Sequence, residues 1–143
     1  MKKYRIGFTQ GTYDMFHVGH LNLLLNAKAF CEYLIVGVNT DDLVESYKGK
    51  TTVISVSDRA RIIENIKCVD RCVICDSLDK NISWEKYHFD ALFIGDDWKG
   101  TSRWIKTEQE LSQHGVEVVY LPHTDGISST MLREKRQAIN KID

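Results

Sequence analysis

Apolar and polar positions alternate in blocks along the chain, and the period of the blocks changes in a regular order. Tyr4 to Phe8 ("YRIGF") reads as a strand. The following "HLNLLLNAKAF" puts Leu21, Leu24, Leu25 and Lys28 at the i, i+3, i+4, i+7 spacing of one helix face, ending near Cys31. "YLIVGVN" (Tyr33 to Asn39) is apolar almost throughout, as a strand covered on both faces should be. Ser57 stands where it could cap a helix in "RARIIENIKCV", whose buried face would carry Ile62, Ile63 and Ile66. "RCVIC", "ALFIG" (Ala91 to Gly95) and "VEVVYL" read as three further strands. "ISWEKYHF" reads as a short helix and "WIKTEQELSQHG" as a helix closed by Gly115. "SSTMLREKRQAIN" reads as a last helix, with hydroxyl groups in its first turn and basic residues in its second half.

Strand and helix signals in alternation, joined by short loops, predict an α/β fold: a Rossmann-like three-layer α/β/α sandwich with a mostly parallel five-stranded sheet. At 143 residues and 43% hydrophobic content the chain suits one domain spanning 1–143. It has one proline, Pro122, and neither repeats nor low-complexity segments. Thr40 to Val56 is the least regular stretch and is expected to be a substrate loop.

Charge then narrows the classes of partner. Lysine and arginine total 19 against 20 acidic residues, so a net charge of −1 gives no electrostatic reason for general nucleic-acid or membrane-surface binding. The opening "MKKYRIGF" reaches polar Thr9 and Gln10 before a signal-peptide apolar region forms, and no apolar run approaches a membrane span. A cytoplasmic protein is the expectation. Its four cysteines, Cys31, Cys68, Cys72 and Cys75, are then expected to be reduced core thiols. The CxxC of Cys72 and Cys75 lies inside a strand rather than at the turn before a helix that a redox motif needs.

Ligands of open parallel sheets sit beyond the carboxyl ends of the strands, and the chemically loaded segments all fall there. "TQGTYDMFHVGH" follows the first strand, "TDDLVESYKGK" the second, "GDDWKG" the fourth and "PHTDGISST" the fifth. Gly11 lets backbone approach a phosphate, and Thr12 adds an N–H and a hydroxyl. His17 and His20 flank a helix start that already favours an anion, and Gly19 leaves room between them. Zinc would need further ligands, but the HEXXH spacing is absent and His88, His114 and His123 lie in unrelated segments. A plain helix entry with two surface histidines remains the bland reading. Ser128, Ser129 and Thr130 give a second helix start suited to phosphate, preceded by Gly126, or else a simple N-cap. Lys48 and Lys50 could bind a small anion or be solvated surface. The carboxylates and Trp98 of "GDDWKG" could meet a base or sugar, or form an Asx-type loop with a packing indole.

"GTYDMFHVGH" resembles the G-T-[FY]-D-x-x-H-x-G-H signature of the cytidylyltransferases, and "HTDGISST" resembles their R-T-x-G-I-S-[TS]-T signature. The resemblance covers nearly the whole chain. HxGH alone marks a broader nucleotidylyltransferase superfamily, whereas the pair of motifs is more specific. The short single domain and "GDDW" look most like the bacterial members that use glycerol 3-phosphate, which would make CDP-glycerol and pyrophosphate from CTP for teichoic-acid or capsule polymers.

The resemblance implies roles residue by residue. His17 and His20 would stabilise the triphosphate during in-line attack, with Lys50 and Ser128 also catalytic. Thr9, Gly11, Thr12, Asp14, Asp97, His123, Gly126, Ile127, Ser128 and Ser129 would serve nucleotide binding. Lys48, Lys50, Arg59, Lys67 and Trp98 would serve the acceptor. Mg²⁺ would come with CTP, no protein metal site is implied, and a homodimer is expected. His123 stands where the family usually has arginine, and Lys67 where an arginine is frequent, so both departures fall on expected phosphate ligands. They leave room for another acceptor, such as a different polyol phosphate, phosphocholine, phosphoethanolamine or a phosphorylated amide. An ATP-using adenylyltransferase and a non-catalytic nucleotide-binding protein are the remaining alternatives.

Overall fold

A computed structural model describes residues 2–122, which form five strands, five α-helices and one 3-10 turn. In chain order these are β1 (Tyr4–Gly11), α1 (Val18–Phe30), β2 (Cys31–Asn39), α2 (Asp41–Lys48), α3 (Val56–Glu64), β3 (Arg71–Cys75), α4 (Lys80–Tyr87), β4 (Ala91–Gly95), the turn Asp96–Trp98, α5 (Ser102–Ser112) and β5 (Glu117–Leu121). The segment expected to be a last helix lies outside the described residues.

All neighbouring strands are parallel and the sheet order is β3-β2-β1-β4-β5. The expected α/β sandwich is therefore present, with a sheet that is parallel throughout. The chain winds outward from β1 to β3, returns to place β4 on the other side of β1, and continues to β5. Strand order reverses between β1 and β4, so a crevice opens beyond their carboxyl ends.

Two apolar layers cover the two faces of the sheet. Leu34, Val36 and Val38 of β2 pack with Leu24 and Ala27 of α1 and Ile63 of α3. Ile35 of the same strand packs on the opposite side with Phe8, Leu92 and, from α5, Trp104 and Leu111. The alternation along β2 is the two-residue period of a strand, and burial on both faces explains its unbroken apolar run. Gly7 and Gly37 sit where a Cβ would lie 2.5 Å from Phe93 and 2.7 Å from the Cys75 sulfur, so close packing requires glycine at both.

Several local expectations are corrected. The stretch expected to be an irregular loop contains α2, capped by the Thr40 side chain accepting from Leu43 N–H and closed by Gly49 at φ +67°. Val44 is the one buried residue of this helix. Ser55, not Ser57, caps α3, and Ile63 with Arg59 forms its buried face while Ile62 is exposed. On α1, Leu25 is 49% exposed and Ala27 is fully buried. The four cysteines are free thiols, and Cys72 and Cys75 are on β3 as expected.

Candidate active site

The loop from β1 to α1 is built around a histidine capping box. His17 is the N-cap of α1 and its Nδ1 accepts the Gly19 N–H at 3.1 Å, while His20 Nδ1 accepts the His17 N–H at 3.2 Å. The spacing of the two histidines is thus the spacing of a capping box, with imidazole nitrogens doing what hydroxyl and carboxylate oxygens usually do. The rings stack, with centroids 3.9 Å apart and an interplanar angle of 23°.

This geometry fixes the protons. An Nδ1 that accepts a backbone N–H carries no proton, so in the neutral ring the proton sits on Nε2. Burial lowers the His17 pKa. Burial, then His17 and Lys48, lower that of His20 to about 4. Tyr13 packs edge-on and Phe16 face-on against His20, which accounts for its desolvation. Two neutral rings therefore present Nε2–H donors, and His17 Nε2 is buried without a partner among the described residues.

Tyr13 and Met15 hold φ of +55° and +50°, a left-handed conformation unfavourable for such residues, so the loop needs external support. Asp14 between them accepts the N–H groups of Val53 at 2.8 Å and Ile54 at 2.9 Å. Arg59, 1% exposed, completes the brace. It donates to the carbonyls of Ile54, Thr12 and Asn39 at 2.7 to 2.8 Å and to the Asp41 carboxylate at 2.6 Å. Burial raises the Asp41 pKa, but hydrogen bonds from Arg59, Thr52 and Val56 more than offset it and leave the carboxyl below its usual range.

Beside this loop, at the switch point of the sheet, lies a cavity of about 380 Å³. Its lining includes Gly11, Thr12, Lys48 and Trp98, as the sequence suggested, and also Gln10, Asn39, Tyr47, Lys80, Arg103 and Trp104. Three of these residues are cationic and none is acidic. Lys48 Nζ donates to Thr12 Oγ1 at 3.3 Å, linking the cavity to the histidine loop. Lys80 is buried, with Nζ 3.0 Å from the Leu78 carbonyl and 5.7 Å from the Trp104 ring centroid. Burial, followed by the charge of Arg103, lowers its pKa to about 8.

Other expected site residues fall elsewhere. Thr9 is buried and its hydroxyl donates to the Phe93 carbonyl at 2.9 Å, so it ties β1 to β4 and does not line the cavity. Arg59, expected to serve the acceptor, instead spends its guanidinium on backbone carbonyls of the β1–α1 loop, the end of β2 and the segment before α3, and on Asp41. Lys50 is exposed just beyond the helix-ending Gly49 and is not part of the lining. Asp97 is exposed on the turn after β4, beside the cavity-lining Trp98. Lys67 precedes β3 and therefore sits at the amino-terminal edge of the sheet, opposite the cavity within one chain. His123, Gly126, Ile127, Ser128 and Ser129 lie outside the described residues.

Gln10, Asn39, Tyr47, Lys80, Arg103 and Trp104 had escaped the reading of the sequence. The missed signal for Tyr47 was the helix α2 itself, legible from Thr40, the acids at 41 and 42, and Gly49. For Lys80 it was Asp79, whose side chain caps α4 by accepting from Asn81 N–H at 2.9 Å.

A family model described as cytidylyltransferase-like matches residues 8–135. A glycerol-3-phosphate cytidylyltransferase from Bacillus spizizenii is 39% identical over 127 residues, 88% of this chain and 92% of that protein. Another from Staphylococcus aureus is 33% identical over 89% of this chain and 91% of its own length. Among solved structures, a lipopolysaccharide core biosynthesis protein from Thermoplasma volcanium superposes with a TM-score of 0.74 at 22% identity, covering 85% of this chain and 99% of that one, a likeness of fold.

Proposed function

The chain belongs to the cytidylyltransferase-like family and is a nucleotidyltransferase, and from that premise we propose that it transfers the cytidylyl group of CTP to glycerol 3-phosphate. The products are CDP-glycerol, a donor for teichoic-acid or capsule polymers, and pyrophosphate. The observation that supports the reading is the His17–His20 capping box on the β1–α1 loop, whose Gly11 and Thr12 line a cavity together with three cations.

A phosphate oxygen of the acceptor attacks the α-phosphorus of CTP in line. A new P–O bond forms as the α–β bridging bond breaks, and its electron pair leaves on pyrophosphate. The acceptor is already an anion, so the step requires no protein nucleophile and no proton abstraction. Catalysis rests on positioning and on donors aimed where negative charge grows. His17 and His20 donate to triphosphate oxygens through Nε2, and Lys48 adds an ammonium next to Thr12. Lys80 and Arg103 attract the acceptor phosphate, and Trp98 lies beside the cytidine.

No group of three His, Cys, Asp or Glu among the described residues could hold a metal ion, and both Asp14 oxygens accept backbone N–H groups. Magnesium fits this chain as part of its substrate, carried on the triphosphate of CTP.

A homodimer belongs to the same reading. Val18 and Leu25 are 52% and 49% exposed although apolar, and they lie seven residues apart on one face of α1, which runs from the histidine end into the second half of the helix. No helix among the described residues is long and apolar enough to cross a membrane, and the reaction is assigned to the cytoplasm, with its nucleotide supply.

Pyrophosphate release with CTP or ATP, against a panel of phosphorylated acceptors, tests the proposal. CTP with glycerol 3-phosphate should give CDP-glycerol and pyrophosphate in equal amounts. Turnover with ATP alone would overturn it.

A further inference from the structure

The amide of Gln10 has one orientation open to it. Its Nε2 lies 2.9 Å from the Ser77 carbonyl and 2.7 Å from Asn39 Oδ1. A carbonyl can only accept, so the atom facing Ser77 is the amide nitrogen, and both of its protons are used. Asn39 therefore accepts through Oδ1 and donates through Nδ2 to the Tyr47 hydroxyl at 3.1 Å. Tyr47 and Thr12 hydroxyls lie 3.0 Å apart, and Lys48 also donates to Thr12. The arrangement that uses these protons in sequence has Tyr47 donating to Thr12, which keeps its own proton for a ligand. The chain of hydrogen bonds thus has a donor at one end and a bare acceptor at the other.

That bare acceptor is Gln10 Oε1, buried and without a partner among the described residues, on a side chain 8% exposed that lines the cavity. An orphaned acceptor at this depth is costly unless a ligand completes it. Its hydrogen bonds reach β2 and the segment after β3, away from the turn after β4 that the proposed function gives to cytidine. Lys80, Arg103 and Lys48 share the lining, so the molecule that completes the site carries an anion together with a neutral hydrogen-bond donor.

We propose that Gln10 Oε1 accepts a hydrogen bond from a free hydroxyl of the phosphorylated acceptor, so that Gln10 selects polyol phosphates over phosphate esters lacking a hydroxyl. This rests on the cytidylyl-transfer reading. A quaternary ammonium has no proton to offer Gln10, and a primary ammonium would meet the three cations of the lining.

Initial rates with CTP and either glycerol 3-phosphate or n-propyl phosphate, in the wild type and in Gln10→Met, test the assignment. The wild type should favour glycerol 3-phosphate by about a hundredfold or more in kcat/KM, since a site built to bind a hydroxyl rejects the analogue without one. Gln10→Met should shrink that ratio by about tenfold or more through loss of the glycerol 3-phosphate rate, with the KM for CTP little changed. If Gln10→Met does not fold, as judged by near-ultraviolet circular dichroism, Gln10→Leu carries the same expectation. Equal use of both esters by the wild type, an unchanged ratio in the folded variant, or a change confined to the KM for CTP would overturn the role of Gln10 alone. No CTP-dependent turnover of any phosphorylated alcohol by the wild type would overturn the cytidylyl-transfer reading, and this inference with it.

Discussion

His20 Nδ1 accepts the backbone N–H of His17 at 3.2 Å, while the two rings stack with centroids 3.9 Å apart. One nitrogen of each ring closes the helix start, and the Nε2 of each is left as a donor. The helix-cap reading of the sequence is met by the geometry, and under the proposed function the same rings also serve the triphosphate.

This division of labour can be separated by substitution. His17→Asn and His20→Gln keep side chains able to serve the two capping positions, so thermal stability should stay near that of the wild type. Turnover should fall by about a hundredfold or more in each, the scale for a lost transition-state donor. Near-normal turnover in either variant would refute the donor role.

Stability of the free protein should depend on pH through the same pair. The His20 pKa is lowered from 6.5 to about 4 by burial and the nearby charges of His17 and Lys48, so the unfolded chain takes up its proton first as pH falls. The contribution is complete above about pH 6.5 and is lost progressively toward pH 4. Thermal melts across that window should show a falling midpoint, and His20→Gln should flatten the curve. A wild-type midpoint that stays level there would contradict the buried neutral state.

Arg59→Met should be the most damaging single change at the site. It strands three backbone carbonyls and the Asp41 carboxylate together, at a cost of about 3 kcal/mol or more. Denaturant unfolding would measure it. Lys67→Ala, exposed on the opposite edge of the sheet, should stay within about 0.5 kcal/mol of the wild type.

Lys80 should give the acceptor its own pH dependence. With a pKa lowered to about 8 by burial and Arg103, its ammonium loses charge as pH rises through that value, and the KM for glycerol 3-phosphate should rise with it. Lys80→Arg keeps its charge, so a folded variant should show a flatter profile. The same rise in both proteins would assign the titration to another group.

The sequence by itself determined the alternation of strands and helices, the two-sided burial of β2 and the chemistry of the first loop. These are legible because hydrophobic period, glycine placement and capping spacing are local properties of a few neighbouring residues. The same local logic places Lys67 on the loop before β3, and the parallel pairing of β3 with β2 puts that loop at the amino-terminal edge of the sheet, opposite the cavity within one chain. Arg59 could be read as a ligand of the acceptor until its three carbonyl partners, from the β1–α1 loop, the end of β2 and the segment before α3, were seen together. Gln10, Asn39, Tyr47, Lys80 and Trp104 come from five segments that meet at the switch point, and no spacing in the chain brings them side by side. Tertiary structure alone decided that meeting, because burial and the direction of a hydrogen-bond chain depend on which distant segments close over a side chain.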